Sequence, residues 1–522
     1  MKKIFSVFLT ILAITNLQGN NIKWSSPPTS ISGVGINASD PQVAIDANGN
    51  AISLWVENNL VKSSSKTVSG SWTAEATVSA TNASSPRLVV DQSGNASAIW
   101  LEGTIIKGAT KTLSGSWSSS TALSSSTATS PCICVDSAGD VVAAWARGGN
   151  IESSVKLFNH AWNTHLTITS TGATLPSIAV GGTGSNTRVV VVWLSTSGSG
   201  TVVSSSSKLI SGSWSTAVTI SDTVHNSANP HVAVDSNENA LAIWYEYDLT
   251  GVSYTNLVVE SASSPASGTW TAPTALSLPG IRNPSSLCAK VAFDNFGNAI
   301  ALWNTSFDDR TFNIESSIKP VNGEWSPVLD LVSSNLYAYS HELSVTSFGD
   351  VLSLYLFFNG QSLNIQSIES DINGFMNNSW SVPITISQGM ENASPKIAAS
   401  INGNVIHAAA VWMNNNGTNN SIVASTGSKT LVLPPSGLSV TQSSHNFGVF
   451  TEYYNTLNWT ASTDPHAAGY LIFRNGLFIG QVGTGVTHFI DDNRVQSGSV
   501  VYGITAIDSL NTQSAAISVS YP

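Results

Sequence analysis

The chain has 522 residues, of which 42% are hydrophobic and only 10% charged, and its formal net charge at pH 7 is −11. So sparse and acidic a charge set excludes the electrostatic footprint of nucleic-acid binding, whose affinity comes from neutralising phosphates. Three cysteines in a chain this long exclude a disulfide framework.

Residues 1–19 read as a secretory signal peptide. Lys2 and Lys3 precede an apolar run from Ile4 to Ile14, which is too short to cross a bilayer. No clean small-x-small triplet marks the cleavage site, and positions after Thr15 or Gly19 are candidates. Losing Lys2 and Lys3 takes the formal charge to −13. No cysteine near this segment offers a lipid anchor, and no later stretch is long and apolar enough to be transmembrane. The expected location is secreted, or at the cell surface or periplasm.

From Pro41 the chain repeats one unit. Val43–Asp46 is a short apolar strand that stops at Asp46-Ala47-Asn48-Gly49-Asn50, an Asn-Gly turn signal. A return strand, Ala51–Val56, carries Trp55 at its end. A third run covers Leu60–Lys66, and after Ser69-Gly70-Ser71 a fourth strand is expected to open at Trp72. The same text restarts at Pro86 and Pro131. Three markers track it. First strands begin at Pro41, Pro86, Pro131, Pro176, Pro230, Ala289, His341 and Pro395. Second strands end on Trp55, Trp100, Trp145, Trp193, Trp244, Trp303, Tyr355 and Trp412. Fourth strands open at Trp72, Trp117, Trp162, Trp214, Trp270, Trp325 and Trp380. Four-strand repeats of this period with a recurring Trp predict an all-β, eight-bladed β-propeller over 20–430. The eighth fourth-strand Trp is Trp24, so the N-terminal strand is expected to complete the last blade and remove an open sheet edge.

Cys132 and Cys134 lie two apart on one first strand and share a face, which makes a bond between them strained. Together with Cys288 they read as small buried thiols. From the fourth repeat on, the Trp-to-Trp spacing grows from 17 residues to 21, 26, 22 and 25. The added residues are expected between second and third strands, at one rim.

Residues 431–435 form a Pro-bearing linker. The segment 436–522 carries L-S-V-T at 438, L-N-W-T-A-S at 457, G-Y-L-I-F-R-N-G at 469 and V-Y-G-I-T-A-I-D at 501. It resembles a fibronectin type III domain, which implies a seven-stranded sandwich with Trp459, Tyr470 and Tyr502 at that family's core and corner positions. It has no Arg-Gly-Asp triplet, so integrin binding does not carry over.

The repeats also resemble bacterial sialidase-like, Asp-box-type propellers. Their turn T-V-S-G-S-W at 67–72 keeps the Gly and Trp of the Asp-box pattern and lacks its Asp. Sialidase chemistry implies three arginines gripping a carboxylate. Arg87, Arg147, Arg188, Arg282 and Arg310 occupy unlike repeat positions, so that activity is not expected.

Two residues beyond the second-strand Trp stand Glu57, Glu102, Arg147 and Glu246. Equivalent placement predicts that they gather around one mouth of the ring, where they would hold a polar ligand, act as a catalytic pair, or remain solvated loop charges. Tyr247 in repeat five, and Phe307, Asp308, Asp309 and Arg310 in repeat six, mix aromatic and polar groups as a binding rim does. No catalytic residues, metal or cofactor are assigned. The turns at Asp46 and Asp235 resemble calcium hairpins but hold one carboxylate each, which reads as turn capping. The nine histidines show no metal-ligand spacing. The expected function is binding or adhesion outside the cell, to a glycan or a protein, through one rim. The alternatives are a polysaccharide-directed glycoside hydrolase and a structural envelope component.

Overall fold

The computed structural model describes residues 21–521 except 169–171, 183, 185–186, 199, 251–252, 281–287, 306–311, 322, 333–337, 372–379, 390, 476, 497–499 and 510–511; for 250, 253–254, 371 and 477 it describes the backbone only. The signal segment and Phe307, Asp308, Asp309 and Arg310 therefore lie outside the described residues.

Strands and turns make up the described chain, with no helix among the described residues. The architecture is all-β and propeller-like. Six repeats each form a separate four-stranded antiparallel sheet in sequential order. Repeats seven and eight do not separate as expected. One parallel bridge, Leu363↔Glu391, fuses them into a nine-stranded sheet, and Asn392 Nδ2 reinforces it by donating to the Leu363 carbonyl at 2.7 Å.

Each repeat packs its second-strand aromatic against the repeat before it. Trp100 sits among Leu54, Val61 and Val78 of repeat one. Trp145 meets Ile99, Ile106 and Leu123 of repeat two, and the same pattern places Trp193, Trp244, Trp303, Tyr355 and Trp412. Trp55 closes the series against Val411, Ile422 and Ala424 of repeat eight. These seven indoles and Tyr355 are at most 1% exposed, so each buries one of the largest apolar surfaces a side chain offers.

The first strands start three residues earlier than the sequence suggests, at Ala38, Ala83 and Ala128, and bend at a bulge just before the proline. The bulge residues Asp40, Ser85 and Ser130 have φ near +50°. The fourth strands differ more. Trp72 lies outside any strand, and the pairing reduces to Ala76–Thr77. Side chains replace the missing ladder. The residue after each Trp accepts a third-strand N–H: Thr73 from Ser65, Ser118 from Thr110, Asn163 from Val155 and Ser215 from Ser207. Thr271, Ser326 and Ser381 do the same from Ser263, Ile318 and Glu369. Further along, Ser79, Ser124, Ser221, Ser277 and Ser387 accept a second third-strand N–H.

The N-terminal segment reproduces both anchors on repeat eight. Ser25 Oγ accepts from Thr426 N, and Ser32 Oγ from Ile422 N. Lys23–Trp24 and Thr29–Ser30 pair with Asn420–Thr430. Ile22 and Ile31 are buried there, and Ile22 N donates to Glu369.

The added rim residues fall partly elsewhere than expected. In repeats four and five they lengthen the second-to-third-strand hairpin, to Arg188–Ser197 with Gly200–Leu209 and to Ala240–Thr250 with Ser253–Ser264. In repeat seven, Tyr355 pairs with Gln366 eleven positions on, where Trp55 pairs with Lys62 seven on. Half of its added residues therefore follow the third strand.

After residues 431–435, seven strands from Ser436–Asn446 to Ile517–Tyr521 form one three-stranded and one four-stranded sheet. Leu457, Trp459, Tyr470, Ile472, Tyr502 and Ile504 fill the space between them. Trp459 and Tyr470 meet edge to face at 5.5 Å.

Two stability outcomes follow. Trp145→Ala should cost about 3–5 kcal/mol in denaturant unfolding, as large-to-small changes at buried aromatics do; a loss under about 1 kcal/mol would contradict the packing described. Deleting Ile22–Ser32 should lower the melting temperature sharply, since it strips both anchors from repeat eight and uncovers Trp55.

Candidate functional site

A buried indole N–H needs an acceptor, and a buried carboxylate needs donors. In most repeats each meets the other's need. Trp55 Nε1 donates to Glu57 at 3.2 Å and Trp100 Nε1 to Glu102 at 3.2 Å. In repeats three and six the acid comes instead from the third strand, as the direct cross-strand partner of the Trp. Trp145 donates to Glu152 at 2.9 Å and Trp303 to Glu315 at 2.7 Å. The carboxylate also collects the chain arriving from the previous repeat: Gly33 N donates to Glu57, Ala80 N to Glu102 and Asp222 N to Glu246.

This accounts for the four rim charges singled out from the sequence. Glu57, Glu102 and Glu246 are each engaged by their own Trp and by a connector N–H. Arg147 pairs with Glu152 at 2.6 Å. Among the described residues no hydrogen bond or ion pair joins any two of the four. Arg188, one of the arginines in unlike repeat positions, donates to Glu238, Ser264 and Pro265 carbonyls and ties repeat four to repeat five. The Asp turns are self-contained. Asp46 accepts from Asn48 N, Asn50 N and Asn50 Nδ2, and Asp91, Asp235 and Asp294 repeat the arrangement. Cys132 and Cys134 are half-buried rather than fully buried, and point their thiols at carbonyls of the neighbouring strand. Burial pushes Cys132 up to about 12, against the opposing charge of Arg87.

Repeat five is the exception. It has an acid at both positions, Glu246 two beyond Trp244 and Glu260 across the ladder from it. Trp244 Nε1 donates to Glu246 at 3.0 Å. Glu260 is therefore surplus to the role that the other repeats assign to one carboxylate. Asp222, on the connector from repeat four, joins them and holds His225 Nδ1 at 2.6 Å, while Asp248 lies 3.7 Å from His225 Nε2. Burial, with Glu246 and Asp222 adding repulsion, raises Glu260 to about 7. Burial also raises Glu246. The hydrogen bond that His225 donates to Asp222 raises His225, and although burial pushes Asp222 up, the N–H groups of His225 and Val224 bring it below its ordinary value.

Strand alternation divides the repeat-five residues that the sequence placed on one rim. Trp244 and Glu246 face repeat four, whereas Tyr245 and Tyr247 pack toward repeat six. Tyr245 is buried and donates to the Cys288 and Asn304 carbonyls, which makes it a strut between repeats. Sequence reasoning missed Asp222, His225 and Glu260. The signal for Glu260 was present, since V-E-S at 259–261 matches I-E-S at 151–153 and 314–316, but only the register shows that Glu260 faces Trp244 alongside Glu246.

Among the described residues, Asp222, His225 and Glu246 have ligand atoms within 4.8 Å of one another. Asp222 and His225 already occupy each other, which takes up atoms that a cation would need. A surface crevice of about 560 Å³ lies away from this cluster, at the seam where Ser30, Ile31 and Thr426 meet Trp72 and Glu75.

No protein-family model and no curated protein matches the sequence. Among solved structures the chain is similar to the WD40 domain of SCAP from fission yeast, at 8% identity and a TM-score of 0.45 over 78% of this chain and 98% of that one. It is similar to a polysaccharide lyase of family PL25, an ulvan lyase, at 10% identity and 0.42 over 76% and 94%. It is also similar to the six-bladed fucose-binding lectin of Aleuria aurantia, at 9% and 0.36 over 69% and 99%. Likenesses this distant bear on neither ligand nor activity.

The raised Glu260 makes a pH prediction. A carboxyl with a folded value above its unfolded value of about 4.3 favours the folded state while protonated, and that contribution is lost as pH rises through about 7. Glu260→Gln should therefore melt higher than the parent at pH 8 and close to it at pH 4.5, by fluorimetric melts across that range. An equal offset at both pH values would contradict the assignment.

Proposed function

We propose that the chain is an exported binding protein, an eight-bladed propeller followed by a fibronectin type III domain, that recognises a glycan through the rim of repeat five. The observation that carries this reading is the surplus acid of that repeat. Repeats one, two, three and six serve as internal controls, because one carboxylate per indole suffices there, and the extra Glu260 stands beside Asp222, His225 and Asp248 with no indole of its own to serve. Clustered carboxylates and an imidazole at the mouth of an extended hairpin suit a ligand rich in hydroxyl donors. The basic, apolar leader at residues 2–14 supports export.

One observation favours a second reading, a polysaccharide-directed hydrolase. Glu260 and Asp222 are neighbouring acids whose values are driven apart, the pattern expected of an acid and its ionised partner.

A glycan array with the purified protein tests the first reading. Binding of a glycan should fall at least about tenfold in the double variant Tyr247→Ala with Glu260→Gln, a loss of about 1.4 kcal/mol, and should survive Asn48→Lys at the opposite turns. Retained binding in the double variant, with loss in Asn48→Lys, would place the site on the other face. Release of reducing ends from any array-positive polysaccharide, abolished in Glu260→Gln, would select the hydrolase.

A further inference from the structure

The innermost strands carry a second constellation. The position that pairs with Leu54 in repeat one is equivalent in every repeat. It holds Arg87, His231, Lys290, Glu342 and Lys396 in repeats two, five, six, seven and eight. Gln42, Cys132 and Ser177 occupy it in the other three. First strands contact one another directly at this level. Val291 N donates to His231 Nδ1 at 3.3 Å and Val232 N to Ser177 Oγ at 3.4 Å. Lys290 lies 3.4 Å from Glu342, and Lys396 makes an ion pair with the same carboxylate from the other side.

The charges at this level do not balance. Three cations and one carboxylate stand at this level in a chain whose overall charge is −11. Arg87 donates to its neighbouring Pro86 carbonyl and, among the described residues, has no acidic partner. Burial and Lys290 lower His231 to about 3, so it adds no charge and can neither repel nor neutralise an anion. Glu342 is held down at about 2 by Lys290 and Lys396 against the opposing push of burial, so it stays ionised and already spent on two lysines. The first strands neighbour one another in series, and the first strand of repeat one also neighbours that of repeat eight. Arg87, Lys290 and Lys396, at the equivalent position of three of these strands, therefore line one common axis. Two residues further along the strands the lining is small and uncharged, as at Ala44, Ala179, Ala233 and Ala398. The cations are not sealed: the side chains of Lys290 and Lys396 are 27% and 31% exposed.

We propose that this axial level is a binding site for an oxyanion, a carboxylate or sulfate, gripped by Arg87 with Lys290 and Lys396. A guanidinium fork matches the two oxygens of such a group, and walls of low polarity strengthen an unbalanced positive field. The inference rests on the ring arrangement proposed above and is separate from the acidic rim of repeat five, which would repel the same ligand.

The test is isothermal titration of the full mature chain with sodium sulfate and with sodium glucuronate, each against sodium chloride and glucose at matched ionic strength. Saturable binding is expected for at least one of the two anions. Binding of glucuronate but not glucose would place the anion on a sugar, and binding of sulfate alone would make it a sulfate group; both support the site. Arg87→Gln should weaken binding at least about tenfold, and so should Lys396→Gln. Glu342→Gln, which removes the one competing carboxylate, should tighten it. Arg87 contributes no inter-repeat bond, so its variant is expected to fold, and the opposite sign of Glu342→Gln guards against a general loss of structure. Absence of saturable anion binding would overturn the proposal. So would weakening by Lys396→Gln with no effect of Arg87→Gln, since that pattern means a local lysine pair without a shared axis, and it separates failure of the ring from failure of the site.

Discussion

The structure depends on where a buried indole finds its hydrogen-bond acceptor. Each second strand ends on a large aromatic pressed into the preceding repeat, and an indole N–H without a partner in that interface is costly. A glutamate supplies the acceptor from the same strand in repeats one, two and five, and from the facing strand in repeats three and six. The carboxylate in turn needs donors. Where it stands on the second strand, the N–H of the incoming connector provides one. One side chain thus couples the packing of a repeat, the path of the chain into it and the position of the rim.

The outer edge of each repeat shows the same economy of means. A regular fourth strand is almost absent, and a hydroxyl or amide after each Trp stands in for ladder bonds. The Trp itself reaches back to the third strand of the preceding repeat: Trp117 to Ser63, Trp214 to Ser153, Trp325 to Ser261 and Trp380 to Ser316. Repeat two shows what happens when the acceptor is missing. Gly108 stands where Ser63 does, and the Trp162 indole nitrogen beside it has no partner. The four bonds that are made join residues 54 to 64 positions apart.

Much of the fold was legible because it repeats. The second-strand aromatics recur with a strand-like context, and the Asn-Gly turns locate the first hairpins, so the hairpins Ala51–Glu57 with Leu60–Lys66 and their equivalents fall where the text puts them. Trp24 was readable as a displaced member of the outer series for the same reason. The short fourth strands were not legible, since strand propensity around Trp72 does not reveal that Thr73 and Ser79 replace the ladder with side chains. The fusion of repeats seven and eight was hidden too, because a single parallel bridge leaves no periodic trace. The local partners of the rim charges were not legible. Equivalence along the chain placed Glu57, Glu102, Arg147 and Glu246 around one mouth, and the structure shows each engaged locally by an indole, a connector or Glu152. The features that stand out, the second acid of repeat five and the cations of the innermost strands, are departures from the repeat, visible only once the repeat's own needs have been accounted for.

All of this geometry presumes that residues 22–32 belong to repeat eight and that Trp55 is thereby covered. Native-state hydrogen exchange reads that directly. The amides of Ser25 and Ile31, which donate to Thr426 and Ile422 at 2.8 and 2.9 Å, should exchange only through opening as costly as that of the central strands around Trp412. Exchange of those two amides at the rates of a free chain terminus, with the central strands still protected, would contradict the closure on which the account stands.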